Sequence, residues 1–195
     1  MIIVLIIAFI FGSIPSGYIL TKKYYGIDIR TQGSGNIGST NVKRIVGKKV
    51  ASITQAMDII KGVIPIIIGA LASQYIALPF TVNTFLSIIA IVVILGHDYT
   101  PFLGFNGGKG VNTTIGAFAL IAFIPTLSGV IIYFLLKYVT DIVSIRSLAL
   151  GLTIPVLSLV LGLDKAIVIS SFIAWIIMVY RHKENIKRLI RKEEK

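Results

Sequence analysis

The chain alternates between long apolar segments and short polar ones. The apolar segments cover residues 1–20, 50–76, 78–96, 111–138, 148–163 and 166–180. The first is just long enough for a helix to cross roughly 30 Å of bilayer hydrocarbon. It has no basic residues before it and is followed by Lys22 and Lys23, which is the wrong polarity for a cleaved signal peptide. We therefore expect a retained first helix whose N-terminus lies outside.

The apolar segment 111–138 is too long for an ordinary span and contains Pro125 near its middle. Proline interrupts helices because it lacks a backbone N–H. We interpret this segment as two half-helices that enter and leave the membrane on the same side. The predicted fold class is an all-α integral membrane protein of about seven helices, with five full spans and this re-entrant pair.

Basic residues indicate the orientation, because lysine and arginine concentrate on the cytoplasmic side of membrane proteins. With the N-terminus outside, the motif loops 21–49, 97–110 and 139–146 and the tail 181–195 share the cytoplasmic face. Only Lys165, with Asp164, remains outside. Residues 1–195 are interpreted as a single polytopic membrane domain.

Composition supports this class and excludes several others. Apolar residues make up 55% of the chain and charged residues 14%, against roughly 25% charged in soluble domains; the mean hydropathy is +0.91. The net charge of +11 is interpreted as orienting charge rather than as a nucleic-acid surface. With no cysteine and two histidines, we expect no metal site and no cofactor.

The first polar loop carries a glycine-rich motif at residues 33–44. Its start matches G-x-G-x-x-G, but a membrane helix precedes it, so a dinucleotide-binding fold is not expected. Glycines let backbone N–H groups converge on an anion, and Ser39 would begin a short helix running to about Lys49. Arg44 lies on the same helical face as Thr40 and Asn41. The predicted phosphate-binding residues are Ser34, Gly35, Asn36, Gly38, Thr40, Asn41 and Arg44. The alternative is a flexible loop that only connects two spans.

A second glycine-rich motif covers residues 104–114. It resembles a phosphate-binding P-loop but fails the required spacing. Its residue types still suit a phosphate, with Gly107 and Gly108 for close approach, Lys109 for charge and Thr113 at a helix start. The alternative for Lys109 is an interfacial lysine that reaches toward the lipid headgroups.

Two further sets of polar residues are candidates. Asp58 and Lys61 lie three residues apart within a span, which favours a structural ion pair, although Lys61 could instead reach an anionic site. His182, Asn185 and Arg188 can share one face of a helix that leaves the last span. The alternative for the tail is a solvated basic segment at anionic lipid headgroups.

The ordered set of motifs resembles the bacterial acyl-phosphate:glycerol-3-phosphate acyltransferases. The resemblance rests on residues 33–44, 107–111, 143–144 and 182–186, and extends to 12–17, 28–30, Asp58 and 61–62. Family members often carry a basic and an aromatic residue just before Val-Ser, where this chain has Asp141 and Ile142, with Arg146 following. The contribution of this segment is therefore left open.

The resemblance implies a small polytopic enzyme of the bacterial inner membrane with its active site on the cytoplasmic side. It implies transfer of an acyl group from acyl phosphate to the 1-hydroxyl of glycerol 3-phosphate, giving lysophosphatidate and phosphate, the first step of phospholipid synthesis. The expected partners are the two substrates and membrane lipids, without nucleic acid or an obligate protein partner. The expected catalytic residues are Arg44, Lys109, His182 and Asn185, with Arg188 among the phosphate-binding ones.

An acyl phosphate is already activated, so direct attack by the glycerol hydroxyl needs mainly orientation and charge stabilisation. A substrate phosphate oxygen is favoured as the base over His182 or His97, because neither histidine has a sequence-near carboxylate. An acylated Ser34 is a third route. The competing functions are an organic-phosphate transporter and a metal-dependent lipid phosphotransferase.

Overall fold

The computed structural model describes residues 1–194, and every regular element in that range is helical. The ten α-helices are α1 Ile2–Ser13, α2 Ser16–Tyr25, α3 Ser39–Val46, α4 Lys48–Ala72, α5 Val82–Asp98, α6 Val111–Phe118, α7 Phe123–Leu135, α8 Val143–Val160, α9 Lys165–Arg181 and α10 Lys183–Ile190. Single 3₁₀ turns cover Ile29–Thr31, Pro101–Leu103 and Leu136–Tyr138. The expected all-helical fold is confirmed.

Three helical segments are long and apolar enough to cross a membrane, namely Lys48–Ala72, Val82–Leu103 and Val143–Val160. Two bent pairs raise the number to five if each pair forms one span. The pair α1 and α2 bends by 41° and the pair α9 and α10 by 59°. The first bend lies at Pro15, which has no N–H to continue the helix.

Helix α5 lies at the centre of the bundle and packs against α1, α4, α6 and α9. Phe85, Ile89 and Val93 form its fully buried face. Helices α4 and α6 approach closely because a glycine stands at their contact: a Cβ on Gly116 of α6 would lie 2.0 Å from the Ile59 carbonyl oxygen of α4. Helix α7 packs mainly on α8, which in turn packs on α9.

The helix count exceeds the expected seven for identifiable reasons. Pro15 divides the first span into two helices, and the short helices α3 and α10 form within the predicted polar loop and tail. The break in 111–138 falls at residues 119–122, so the expectation of a break at Pro125 is wrong. Pro125 lies in the first turn of α7, where its missing N–H costs no helical hydrogen bond. Helix α6 packs on α4, whereas α7 packs on α8.

Several loop boundaries also differ from the predicted ones. Helix α2 extends to Tyr25, α5 reaches Asp98, and α8 begins at Val143, so Arg146 is helical rather than part of a connector. Helix α3 ends at Val46 instead of about Lys49, because Gly47 breaks it before α4 begins. The last residue of the predicted tail, Lys195, lies outside the described residues.

Candidate active site

A cavity of about 870 Å³ lies at one end of the helix bundle. Residues from all four predicted polar segments line it, from the first loop with α3, the loop before α6, the start of α8 and the tail with α10. Ten of the fourteen predicted site residues are among them: Ser34, Asn36, Gly38, Thr40, Asn41, Arg44, Lys109, His182, Asn185 and Arg188. The fold therefore brings together residues that lie up to 154 positions apart, from Ser34 to Arg188.

Asn41 organises the first loop. Its buried side-chain Nδ2 donates to the carbonyl oxygens of Gln32 and Asn36, both at 2.9 Å, and of Ile29 at 3.3 Å, while its Oδ1 accepts from the Ser34 N–H at 3.0 Å. These bonds leave no amide N–H of Asn41 for a ligand in this conformation. Asn41 thus shapes the loop around the cavity, and Ser34 and Thr40 remain exposed there.

Two helices begin side by side at the cavity. Helix α3 begins at Ser39 and α6 begins at Val111. The Asn112 Nδ2 donates to the Ser39 hydroxyl at 3.2 Å, which holds the two N-termini together. Both Ser39 and Asn112 line the cavity. Because helix N-termini carry unpaired N–H groups and a partial positive charge, the pair favours an anion between them.

The second glycine-rich loop is fixed by its own backbone and by Arg181. The Gly107 N–H donates to the Asp98 carbonyl at 3.1 Å and the Gly108 N–H to the His97 carbonyl at 3.1 Å. Arg181 donates from Nε to the Gly108 carbonyl at 2.9 Å and from a terminal nitrogen to the Gly107 carbonyl at 3.0 Å. These two glycines are not among the residues that line the cavity, and neither are the predicted residues Gly35 and Thr113. Their arrangement presents Lys109 at the cavity.

Lys109 joins the loop to the tail helix. Its ammonium donates to the Asn185 Oδ1, and Asn185 in turn donates to the Glu194 carboxylate. Burial lowers the pKa of Lys109 from 10.5 to about 8; Glu194 opposes this shift, and the guanidinium groups of Arg188, Arg181 and Arg44 add to it. Lys109 is consequently a cation at neutral pH that loses its charge within the mildly alkaline range.

The tail brings a carboxylate into this cationic cavity. Glu194 accepts from Arg188 Nε at 2.7 Å and from the Ser144 hydroxyl at 3.3 Å, in addition to Asn185. Burial raises the pKa of Glu194, but these hydrogen bonds outweigh it and hold the pKa below its usual value. Sequence reasoning missed Glu194, since a glutamate in a basic tail carries no local sign of such a contact.

His182 is buried at the junction of α9 and α10 and lines the cavity. Its Nδ1 lies 2.8 Å from the Met178 carbonyl oxygen. A carbonyl only accepts, so Nδ1 carries the hydrogen and Nε2 is left with its lone pair. His97 also lines the cavity. Its Nδ1 lies 3.9 Å from Asp58 Oδ1, and the sequence did not predict this contact.

The expected ion pair within α4 forms at the cavity, where Asp58 is one of the lining residues. Lys61 Nζ lies 2.9 Å from Asp58 Oδ1 and donates to the Ile14 carbonyl at 2.7 Å. Ile14 stands at the bend between α1 and α2, where the helical bonding is interrupted. Lys61 therefore connects two elements, in agreement with the structural interpretation.

The start of α8 supplies residues that the sequence left open. Val143, Arg146, Ser147 and Leu150 follow one helical face and all line the cavity. Opposite them, Val130, Tyr133 and Phe134 form a stripe on α7. The α7 stripe therefore makes one side of the cavity largely apolar, while the first loop, Lys109 and the tail make another side cationic.

A helical membrane bundle with a cationic cavity beside an apolar wall defines a class of protein that handles an amphiphilic anion. A family model for glycerol-3-phosphate acyltransferase matches residues 2–192, and the chain belongs to that family. This finding confirms the family suggested by the motifs and favours an acyltransferase over a transporter. The chain is thus an integral membrane enzyme of the glycerol-3-phosphate acyltransferase family.

Relatives and solved structures agree with this assignment. The glycerol-3-phosphate acyltransferase of Clostridium acetobutylicum is 55% identical over 194 residues, which cover 100% of this chain and 98% of the relative. The one from Clostridioides difficile is 35% identical, covering 100% and 94%. Two crystal structures of the integral membrane acyltransferase PlsY are similar to this chain. Its glycerol 3-phosphate form has a TM-score of 0.90 at 30% identity, covering 100% of this chain and 94% of that one. Its lysophosphatidic acid form has a TM-score of 0.89 at 29% identity, covering 100% and 93%.

Proposed function

We propose that this enzyme transfers an acyl group from acyl phosphate to the 1-hydroxyl of glycerol 3-phosphate, giving lysophosphatidate and inorganic phosphate. The observation that carries the proposal is one cavity in which cations and two helix N-termini face an apolar wall. Both substrates are phosphate anions, and one carries a long acyl chain. The glycerol 3-phosphate and lysophosphatidic acid forms of the similar structures support this acceptor and this product.

The cationic residues would hold the two phosphates in reach of each other. Arg44, Lys109 and Arg188 supply the charge, and Ser34 and Thr40 supply hydroxyl groups at the mouth of the first loop. The shape of that loop depends on Asn36, Gly38 and Asn41. Asn36 Oδ1 accepts from the Gly38 N–H at 2.9 Å, and the Asn41 side-chain amide bonds to backbone groups of the loop. Asn185 orients the Lys109 ammonium.

The chemistry proposed is a direct displacement. The glycerol hydroxyl oxygen attacks the acyl carbonyl carbon, the bond from that carbon to the phosphate oxygen breaks, and phosphate leaves. Lys109 stabilises the negative charge that shifts onto the leaving phosphate. This route needs no acylated Ser34, since the mixed anhydride is already activated.

The proton of the attacking hydroxyl passes, in this proposal, to a phosphate oxygen of a substrate. His182 hydrogen-bonds a backbone carbonyl through Nδ1 rather than a carboxylate, so no anion stabilises an imidazolium there as in a catalytic triad. His97 has Asp58 only at 3.9 Å, beyond hydrogen-bond distance. His182 Nε2 would instead accept a hydrogen bond that orients the glycerol.

The proposed setting is the bacterial inner membrane, with the N-terminus outside and the cavity on the cytoplasmic side. The basic segments support this orientation because they converge at the cavity end of the bundle. Asp164 belongs to the other end, where it accepts from Asn83 at the start of α5.

The test uses the purified full chain in lipid nanodiscs with a chelator present. We expect phosphate release that requires both acyl phosphate and glycerol 3-phosphate. Acyl-CoA offered with glycerol 3-phosphate provides the comparison for the donor. Turnover with acyl-CoA but not with acyl phosphate would refute the proposed donor, and phosphate uptake into sealed vesicles without acyl transfer would support the transporter instead.

A further inference from the structure

Arg146 is a buried cation in the wall of the cavity. It lies one turn into α8, lines the cavity and is only 8% exposed. The motifs of the family resemblance do not include it, and the segment before it has an aspartate where a basic residue is common. Its position is therefore a property of this chain that the proposed function leaves unused.

The guanidinium of Arg146 has no anionic partner among residues 1–194. One terminal nitrogen donates to the Asp141 backbone carbonyl at 3.3 Å, and the group lies 5.0 Å from the centroid of the Tyr133 ring. No carboxylate in the described part of the chain lies within 4.0 Å of it, and its buried Nε–H has no acceptor there. A buried cation without a counter-charge is costly, which points to an anionic ligand at this place.

The neighbours of Arg146 supply further donors for such an anion. Ser147 follows Arg146 directly on α8, and Ser144 lies one turn before Ser147. Both serines are buried and line the cavity. The Ser144 hydroxyl already donates to the Glu194 carboxylate at 3.3 Å. A carboxylate of the chain itself thus lies at the edge of this donor group, which supports its capacity to bind an anion.

The surface next to Arg146 is apolar. Leu150 follows one turn later on α8, and Val130 and Phe134 face it from α7 on either side of Tyr133. A second depression of about 440 Å³ along α7 is lined mostly by apolar residues. It shares Val130, Phe134 and Lys137 with the cavity and adds Ile131, Leu135 and Tyr138. An anion bound by Arg146 therefore has space beside it for a hydrocarbon chain.

We propose that Arg146, with Ser144 and Ser147, binds the phosphate group of the acyl donor, and that the α7–α8 wall receives its acyl chain. This inference rests on the proposed function and makes Arg146 a donor-specificity residue. The planar guanidinium can stack on Tyr133 and still offer two N–H groups to a phosphate, which an ammonium cannot do. Glycerol 3-phosphate, which has no chain, then binds on the side of Arg44 and the two helix N-termini.

The experiment compares the purified full-length enzyme with Arg146→Met and with the matched control Arg191→Met. Arg191 is an exposed arginine at the end of α10, away from the cavity lining. Each substrate is varied while the other is saturating, and binding of a non-reactive acyl phosphonate is measured directly. We expect Arg146→Met to raise the KM for acyl phosphate and the phosphonate Kd by about tenfold or more. The KM for glycerol 3-phosphate should stay within about twofold, as should all values for the control.

Arg146→Lys keeps the charge and decides the question if the methionine variant does not accumulate as folded protein. It should raise the acyl-phosphate KM severalfold without changing the glycerol 3-phosphate KM. Unchanged constants for the donor in both variants, or a rise confined to glycerol 3-phosphate, would overturn the inference. Failure of the proposed function would look different, because the wild-type enzyme would then show no turnover with acyl phosphate.

Discussion

At the residue scale, the cations of the site have few anionic partners within the described part of the chain. Lys109 is bonded to an uncharged amide, and Arg188 is paired with Glu194 at 2.7 Å. A phosphate can therefore add its charge at Lys109 without displacing a protein carboxylate bonded to that ammonium. Burial lowers the pKa of Lys109 to about 8, which makes its protonation sensitive to pH in the mildly alkaline range.

We expect the affinity for the phosphate substrates to fall as pH rises through about 8, the pKa of Lys109 in the free enzyme. A bound phosphate favours the charged ammonium, so binding is strongest below this pKa and is lost above it. The kcat/KM should decline by up to about tenfold per pH unit above pH 8. Substrate phosphates do not produce this decline, because they already carry their second charge above about pH 6.

Lys109→Arg serves as the control for this prediction, since arginine stays charged throughout the range. Its kcat/KM should be lower overall and flat between about pH 7 and pH 9.5. A decline of the same shape in Lys109→Arg would assign the titration to another group.

The variant His182→Gln tests whether His182 acts as the base or as a positioning residue. If the substrate phosphate accepts the proton, the variant should lose about tenfold in kcat/KM through a lost hydrogen bond. Its pH profile should keep the wild-type rise near pH 6, because substrate phosphates titrate there. Burial lowers the pKa of His182 to about 4, so a His182 base would add a further rise near pH 4 to the wild-type profile. Loss of that lower rise in His182→Gln, with retention in His97→Gln, would identify His182 as the base.

At the element scale, short helices and tight loops rather than the long spans build the site. The first loop is held by Asn41, and α3 begins where that loop ends. Gly33 stands at the critical position, with a φ of +57° and space for no side chain, because a Cβ would lie 2.4 Å from Asn41 Oδ1. The conformation of this loop therefore depends on a contact between residues eight positions apart.

Gly33→Ala should lower activity by about tenfold or more, because the methyl group displaces the Asn41 amide that bonds the loop. Gly26→Ala is a matched control, since Gly26 has a φ of +68° and a Cβ at that position would have no neighbouring atom within 4 Å. The control carries the same backbone strain of about 1–2 kcal/mol and should retain most of its activity. Equal turnover numbers for both variants, measured with melting temperatures, would contradict a role for the Gly33–Asn41 contact.

At the scale of the whole molecule, the bundle gathers four polar segments at one end and leaves the other end nearly free of cations. This one-sided distribution of cations supports the proposed cytoplasmic position of the cavity. The proposed topology can be tested without removing any native thiol, as the chain has no cysteine.

Single cysteines at Asn106 and Lys192 should resist an impermeant thiol reagent in intact cells, whereas Lys165→Cys should react. All three positions are exposed in the structure. Each should react after permeabilisation, which controls for access. Labelling at Asn106 or Lys192 in intact cells would reverse the proposed orientation.

Much of the fold follows from local sequence. Apolar runs specify membrane helices, because in lipid each backbone group must be bonded within its own segment. Ser34, Thr40 and Lys109 could be predicted as phosphate-binding residues because hydroxyls and cations near helix starts suit phosphates wherever they occur. The break in 111–138 was misplaced at Pro125, because proline is well tolerated in the first turn of a helix and does not by itself show where the preceding helix ends.

The sequence by itself determined the class of protein, the sites of most helices, and the kind of ligand that its motifs predict. Only the tertiary structure decided which side chains face that ligand and which hold the loops, as with Asn41 and Arg181. It also placed Arg146 beside Tyr133 and Glu194 beside Arg188. Hydropathy and helical period depend on neighbours within a few positions, whereas these contacts depend on how separate helices pack.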